Sequence, residues 1–161
     1  MSELGALKQL LKRETRALVK AVGGGDAGSM ACRVRQQVLS DYGNITQSAR
    51  FVPADVVLDL ESVSVGRTGH PHVTRMLARA AGYELVPLPG ARPETKSWHE
   101  HIAACAKEAG EVTSRLALAV AGGVNADEAG DLVREVEEAI QSLVDLKFAL
   151  RAVQSGDLDS S

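Results

Sequence analysis

The 161-residue sequence is poor in aromatic residues, which make up 3% of it as two Phe, two Tyr and one Trp. A core must therefore be built from Leu, Val, Ile and Ala, within a hydrophobic content of 45%. That palette suits packed helices and works against a β-sandwich, whose strands favour aromatic and β-branched side chains. Cysteine is scarce too. Cys32 and Cys105 stand alone with no metal-type spacing, which sets aside a disulfide framework and leaves two reduced thiols in a cytoplasmic protein as the expectation. No apolar run approaches the ~20 residues needed to cross a bilayer. The first residues lack a basic stretch followed by an apolar one, so neither a signal peptide nor a membrane partner is expected. The length fits one ordinary domain or two small ones.

What charge there is lies unevenly. The net is −3, which alone argues against a polyanionic partner. Yet residues 1–82 hold eleven Lys and Arg against seven Asp and Glu, a net of +4, while residues 83–161 hold seven against fourteen, a net of −7. A polyanion would meet the first half and be repelled by the second.

Hydrophobic periodicity predicts an all-α fold. Leu4, Leu7, Leu11, Leu18 and Val22 form a stripe over about residues 3–22, with Lys8, Lys12, Arg13, Arg16 and Lys20 placed off it. Gly23, Gly24 and Gly25 stop this helix. Two short helices follow, over about residues 26–33 and 35–42, then one from Pro53 to about Val63 and one over residues 72–81 that Gly82 ends. Pro87, Pro89 and Pro93 exclude helix between Leu85 and Lys96. The expected domains are a bundle of about five helices over residues 1–84, a proline-rich linker over 85–96, a helical hairpin over 97–154 and a frayed tail over 155–161.

The hairpin carries the clearest pattern. Ser97 with Glu100 is a capping box, and Asn125 with Glu128 resembles one. Trp98, Ile102, Cys105, Ala109, Val112, Leu116 and Ala119 alternate steps of four and three, as do Ala129, Leu132, Val136, Ala139, Leu143, Leu146, Leu150 and Val153. These read as two heptad seams facing each other across an antiparallel turn. Apolar residues remain over, and Leu118, Val133, Ile140, Val144 and Phe148 are the expected oligomer interface.

Residues 25–44 fit a helix-turn-helix. Two short helices crossing at a tight turn need apolar residues at the eighth, tenth, fifteenth and eighteenth places, which here are Cys32, Val34, Leu39 and Tyr42. Arg35, Gln36, Gln37, Ser40 and Asp41 would then face outward from the second helix. Arg suits guanine and Gln suits adenine, and the start of such a helix lies at base edges in the major groove. Lys12, Arg16, Lys20 and Arg33 are the expected phosphate contacts. Two places depart from the pattern: Arg33 takes a turn position usually given to Gly, and Gly28 takes an apolar place inside the first short helix. An ordinary helical bundle satisfies the same spacing, so an adaptor that binds a protein partner through the hairpin, without DNA, stays open as the alternative.

Other constellations carry less. Residues two apart on a helix point ~200° apart, so His99 and His101 cannot hold one metal ion. His101 with Cys105 is an incomplete site, and His70 and His72 flank Pro71 in a turn-rich stretch. Gly23 to Gly25 follow a helix rather than a strand and precede no Lys-Ser/Thr pair, so they read as a helix stop. Glu135, Glu137 and Glu138 read as a solvated face. No Ser, His and acid set is recognisable; neither an enzyme nor a cofactor is expected.

The order of these parts resembles a known family. Lys12 to Arg16 enters the turn at Gly23 to Gly25. Leu39-Ser40-Asp41-Tyr42-Gly43-Asn44 closes the short helix pair, Phe51 to Glu61 follows, and Glu108-Ala109-Gly110-Glu111 precedes the last heptads. This is similar to the CII-type regulators of temperate phages and their prophage-derived relatives, over most of residues 4–153. The resemblance implies a lambda-repressor-like DNA-binding fold, transcriptional control, double-stranded DNA as partner and assembly into homodimers or homotetramers, with RNA polymerase as a further partner. Arg33 and Arg35 depart from the family pattern, and the usual Ser-type cap before the recognition helix is missing.

Overall fold

Gly23 and Gly24 have φ of 103° and 97°, a region that strains residues with a Cβ, and they end α1 (Ala6–Ala21). The structure, a computed structural model, describes residues 5–89 and 96–155. After α1 come α2 (Gly25–Ala31), α3 (Gln36–Gly43), α4 (Ala54–Val63), α5 (His72–Ala80), α6 (Trp98–Gly122) and α7 (Ala126–Ser155). No strand occurs among the described residues, so the fold is all-α. Residues 3 and 4 of the expected first helix, residues 90–95 of the proline-rich stretch and residues 156–161 of the expected tail lie outside the described residues.

The chain divides into two compact units, Met1–Leu85 and Val86–Ser161. In the first, Leu18, Leu39, Val56, Val57, Leu60 and Val73 are buried together, three from α4 and one each from α1, α3 and α5. Cys32, Val34 and Tyr42 pack against this cluster, so all four apolar places of the helix-turn-helix pattern point inward. Gly28 now has a reason. A Cβ there would lie 3.0 Å from Leu39 Cδ1 and 3.5 Å from Leu60 Cδ2, so its absence lets α2 cross close over the core.

Helix α5 lacks a capping side chain of its own. Glu61, buried at the end of α4, supplies one. Its Oε1 accepts the N–H groups of Val73 (2.8 Å) and Thr74 (3.1 Å), and its Oε2 accepts the Thr74 hydroxyl. A carboxylate at the positive end of a helix satisfies orphan donors and the dipole together.

In the second unit α6 and α7 pack along each other. Ser97 and Glu100 form the predicted capping box, and Asn125 Oδ1 accepts from Asp127 and Glu128 N–H, both at 3.0 Å. Cys105 Sγ lies 3.7 Å from Ser142 O, and Arg115 Nη1 lies 3.1 Å from Glu135 Oε1. Partner numbers fall as α6 numbers rise, so the helices run antiparallel. Residues 86–89 have no regular structure, and Gln141 Nε2 donates to the Pro87 carbonyl at 3.2 Å.

Candidate nucleic-acid interface

Helix α3 is eight residues long, too short to hold its shape unaided. Leu39 and Gly43 are buried, which fixes its rotation. Arg35, Gln36, Gln37 and Ser40 are exposed, and Arg35 is the extended N-cap residue. Gln36 lies over the start of α2, since a Cβ on Gly25 would meet its Cγ at 2.6 Å. With Ser40 and Arg16 it lines an open groove of about 530 Å³ between α1 and α3. Asp41 is different: its carboxylate is mostly covered, paired with Arg50 at 2.5 Å and 3.5 Å from Gln37 Nε2.

The four proposed phosphate cations separate. Lys12 is fully buried and cannot reach a phosphate, so it is removed from that set. Its Nζ donates to Tyr42 O at 3.3 Å and Arg50 O at 2.6 Å, with the Phe51 ring centroid 4.7 Å away. Desolvation pushes its pKa below the usual lysine value, against a smaller opposing pull from Asp41. A stripe through Leu7 and Leu11 puts Lys12 off the covered side, but the buried line of α1 is Lys12, Thr15 and Leu18, and Leu7 is exposed. Arg16 stays exposed, with Nη2 donating to Gly43 O at 2.8 Å. Arg33 is engaged with Asp55 through Nε and Nη2, and this hydrogen-bonded pair lowers the pKa of Asp55. Lys20 is exposed at the last turn of α1. Arg50, which the periodicity left in a polar loop, proves to hold Asp41; only a contact across nine residues reveals it.

The discounted histidines have local partners. His70 Nδ1 is 3.0 Å from Ser64 Oγ, and His72 Nδ1 is 3.8 Å from Glu14. His101 is buried, its ring centroid 6.0 Å from that of Trp98. No group of three metal-ligating residues occurs among the described residues.

The hairpin keeps part of the two expected heptad seams. Cys105, Val112 and Ala119 of the first and Ala129, Leu132, Ala139 and Leu146 of the second are covered at least in part, and His101, Glu108, Glu135 and Ser142 join them, with Arg115 reaching Glu135 from the edge. Ile102 is 64% and Leu143 57% exposed, and Leu116, Val136 and Leu150 are exposed as well. Several residues of this line are followed by an exposed apolar one, as in His101-Ile102, Arg115-Leu116, Ala119-Val120, Glu135-Val136, Ala139-Ile140 and Ser142-Leu143. One residue further is a turn of ~100° in both helices. Because the helices are antiparallel, that rotation brings both apolar stripes to the same side of the hairpin. Val133 and Ile140 border this face. Val144 and Phe148 continue from Ile140 around the back of α7 and are half-buried, and Leu118 lies on the far flank of α6. No described helix is long and apolar enough to cross a membrane.

Residues 33–153 match the family model of the phage regulatory protein CII (CP76). The chain belongs to the phage CII regulatory proteins. The match opens at Arg33, in the turn before α3, and closes at Val153 in the last turns of α7. It thus takes in the candidate reading helix, the Glu61 cap and all but the last two residues of the hairpin of this CII-family chain. The family is one of phage regulators, not of enzymes. No curated protein and no solved structure matches the chain.

Proposed function

We propose that this CII-family chain is a sequence-specific DNA-binding transcription regulator of phage or prophage type, acting as an oligomer. The observation that carries the reading is the start of α3. Arg35, Gln36, Gln37 and Ser40 stand in solvent on a helix whose other side is locked into the core. Arg and Gln at the N-terminal turn of the second helix of such a pair can address guanine and adenine edges in the major groove. Lys20, Arg16 and, after exchange of its Asp55 partner, Arg33 are the phosphate contacts. Asp41 serves the protein more than the duplex, since Arg50 occupies it.

The apolar side of the hairpin joins copies of the chain. Two such sides placed together make a four-helix bundle, and its two-fold axis sets two reading helices at a fixed spacing. The cytoplasm is the compartment this function requires.

The test is titration of the full chain with duplexes selected from a random pool, over a salt series. Affinity should fall steeply with salt as counterions are released, and Arg35→Ala should cost roughly 1–3 kcal/mol on the selected site while relaxing one base pair. A chain that enriches no duplex, yet still self-associates, would favour the protein-binding adaptor instead.

A further inference from the structure

Helix C-termini leave carbonyls without intrahelical partners and carry the negative end of the helix dipole. At the end of α3 three cations converge on that need. Lys12 Nζ bonds Tyr42 O (3.3 Å), Arg16 Nη2 bonds Gly43 O (2.8 Å) and Arg50 Nη1 bonds the Asp41 carboxylate (2.5 Å). Lys12 also bonds the Arg50 carbonyl at 2.6 Å, so one buried ammonium ties together α1, the end of α3 and the loop that follows. Lys12 and Arg16 are four residues apart on one side of α1, next to a close backbone crossing. A Cβ on Gly43 would lie 3.2 Å from Arg16 Cβ and 3.4 Å from its Cα. The Asn44 N–H bonds Asp41 O, so the last turn closes within this clamp. By contrast the start of α3 has no side-chain cap.

We infer that Lys12 and Arg16 are positioning residues for α3: they hold its C-terminal turn against α1, and so set where Arg35, Gln37 and Ser40 point. This rests on the DNA-binding reading and adds a role to residues that touch no base. A buried ammonium is a costly group to keep, and a hydrophobic residue in its place would leave two carbonyls without a donor. The far end of α3 is thus fixed by charge, where α1 ends in a glycine turn.

The experiment uses the full chain, a duplex it enriches from a random pool and a mixed-sequence duplex of equal length. Lys12→Met and Lys12→Arg are compared with the unmodified protein at a temperature where circular dichroism shows all three folded. For Lys12→Met the ratio of selected to mixed affinity should fall tenfold or more, with the salt slope on mixed duplex unchanged. Lys12→Arg should recover part of the ratio. Arg16→Met is the second variant should Lys12→Met fail to fold, and it should lower the ratio by severalfold. For Lys12 a salt slope reduced by about one with the ratio intact would mark a phosphate contact and overturn the inference; for Arg16, which also meets a phosphate in the proposed function, a reduced slope is expected and an intact ratio overturns it. An unchanged ratio and slope in a folded variant would overturn it too, leaving a role in stability alone. If the unmodified chain enriches no duplex, it is the DNA-binding reading that fails, a result visible before any variant is made.

Discussion

In the N-terminal unit the buried side chains are mostly apolar, Leu18, Leu39, Val56, Val57, Leu60, Val73 and Met76, with Lys12, Thr15, Glu61 and Ser64 beside them; among the described residues of the hairpin they are His101, Ala119 and Glu135. The first unit gathers its apolar residues at one centre and covers them from four helices. The second pairs Arg115 and Arg134 with a buried Glu135 and leaves its longest apolar residues outside. Two helices alone have one line of contact, and here small and polar residues share it with Val112, Leu132 and Leu146. Ala119 and Ala139 let the axes approach, and the Arg115–Glu135 pair sets which residues oppose. Such a pair is weak evidence of stability but a good device for fixing alignment. One unit thus gathers an apolar centre of its own, whereas the other leaves a continuous apolar face exposed. Under the proposed function that division separates a reading head from a joining arm.

The largest effect that would sharpen this contrast is loss of the oligomer. Replacing Ile102 and Leu143 together by Asp should turn the full chain into a folded monomer, with the association constant lowered more than about a hundredfold. Each Leu or Ile withdrawn from water contributes ~1.5–3 kcal/mol, and a two-fold interface counts each twice. Light scattering reads the mass. Trp98, the only tryptophan, stands beside Ile102 at the start of the same stripe, and its emission should shift to the red. Unchanged association would show that the stripes face something other than a second copy. Leu118→Asp, on the far flank, serves as the control and should leave the mass as it was.

A core truncation in the other unit tests the opposite half of the comparison. Leu60 is fully buried between α2, α3 and α4, and Leu60→Ala should lower stability by about 2–5 kcal/mol. Its effect should not depend on protein concentration, and Trp98 emission should not register it. Denaturant melts at two concentrations a hundredfold apart, read by tyrosine and by tryptophan, separate the units. If the Leu60→Ala loss grows on dilution, the N-terminal unit is not the self-sufficient one.

Much of this was legible in the sequence, and the rest fails for identifiable reasons. Helix spans follow from glycine stops, proline starts and capping residues, which act locally, so Ser97, Asn125 and Gly23 were readable without a fold. Cys32, Val34, Leu39 and Tyr42 were readable as one inward set because the crossing of two short helices imposes its own spacing. Lys12 was not. A stripe drawn through Leu7 and Leu11 leaves it outside, and only the carbonyls of Tyr42 and Arg50, brought from 30 and 38 residues away, explain why a charge is buried there. Gly28 looked like a defect until Leu39 was seen against it. The rotation of α6 and α7 escaped for a different reason. Inner and outer stripes are neighbours one residue apart, and a heptad count says that a stripe is covered without saying by which helix.

The smallest effect concerns the cap that opens the hairpin. The Glu100 carboxylate accepts the Ser97 backbone N–H at 2.6 Å, and this bond, together with the Ser97 hydroxyl, holds its pKa below the ordinary value of 4.5. A carboxyl depressed in the folded state stabilises it fully above 4.5 and loses that contribution as pH falls through the lowered value. Acidification from pH 5 downward should therefore loosen the first turn of α6 first, and Trp98, the first residue of that helix, reports it directly. Glu100→Gln keeps a bonding oxygen but has no proton to take up at this pH, so its Trp98 signal should be flatter over the same range while the mass of the chain at pH 7 stays the same. The counterpart in the N-terminal unit is Asp55, whose pKa is lowered chiefly by the Arg33 side chain rather than by backbone. That exposed ion pair is open to screening. Raising the salt should thus move the acid limb of the tyrosine signal and leave that of Trp98 in place. A Trp98 limb that shifts with salt as much as the tyrosine limb would show that Glu100 is held by charge and not by its cap.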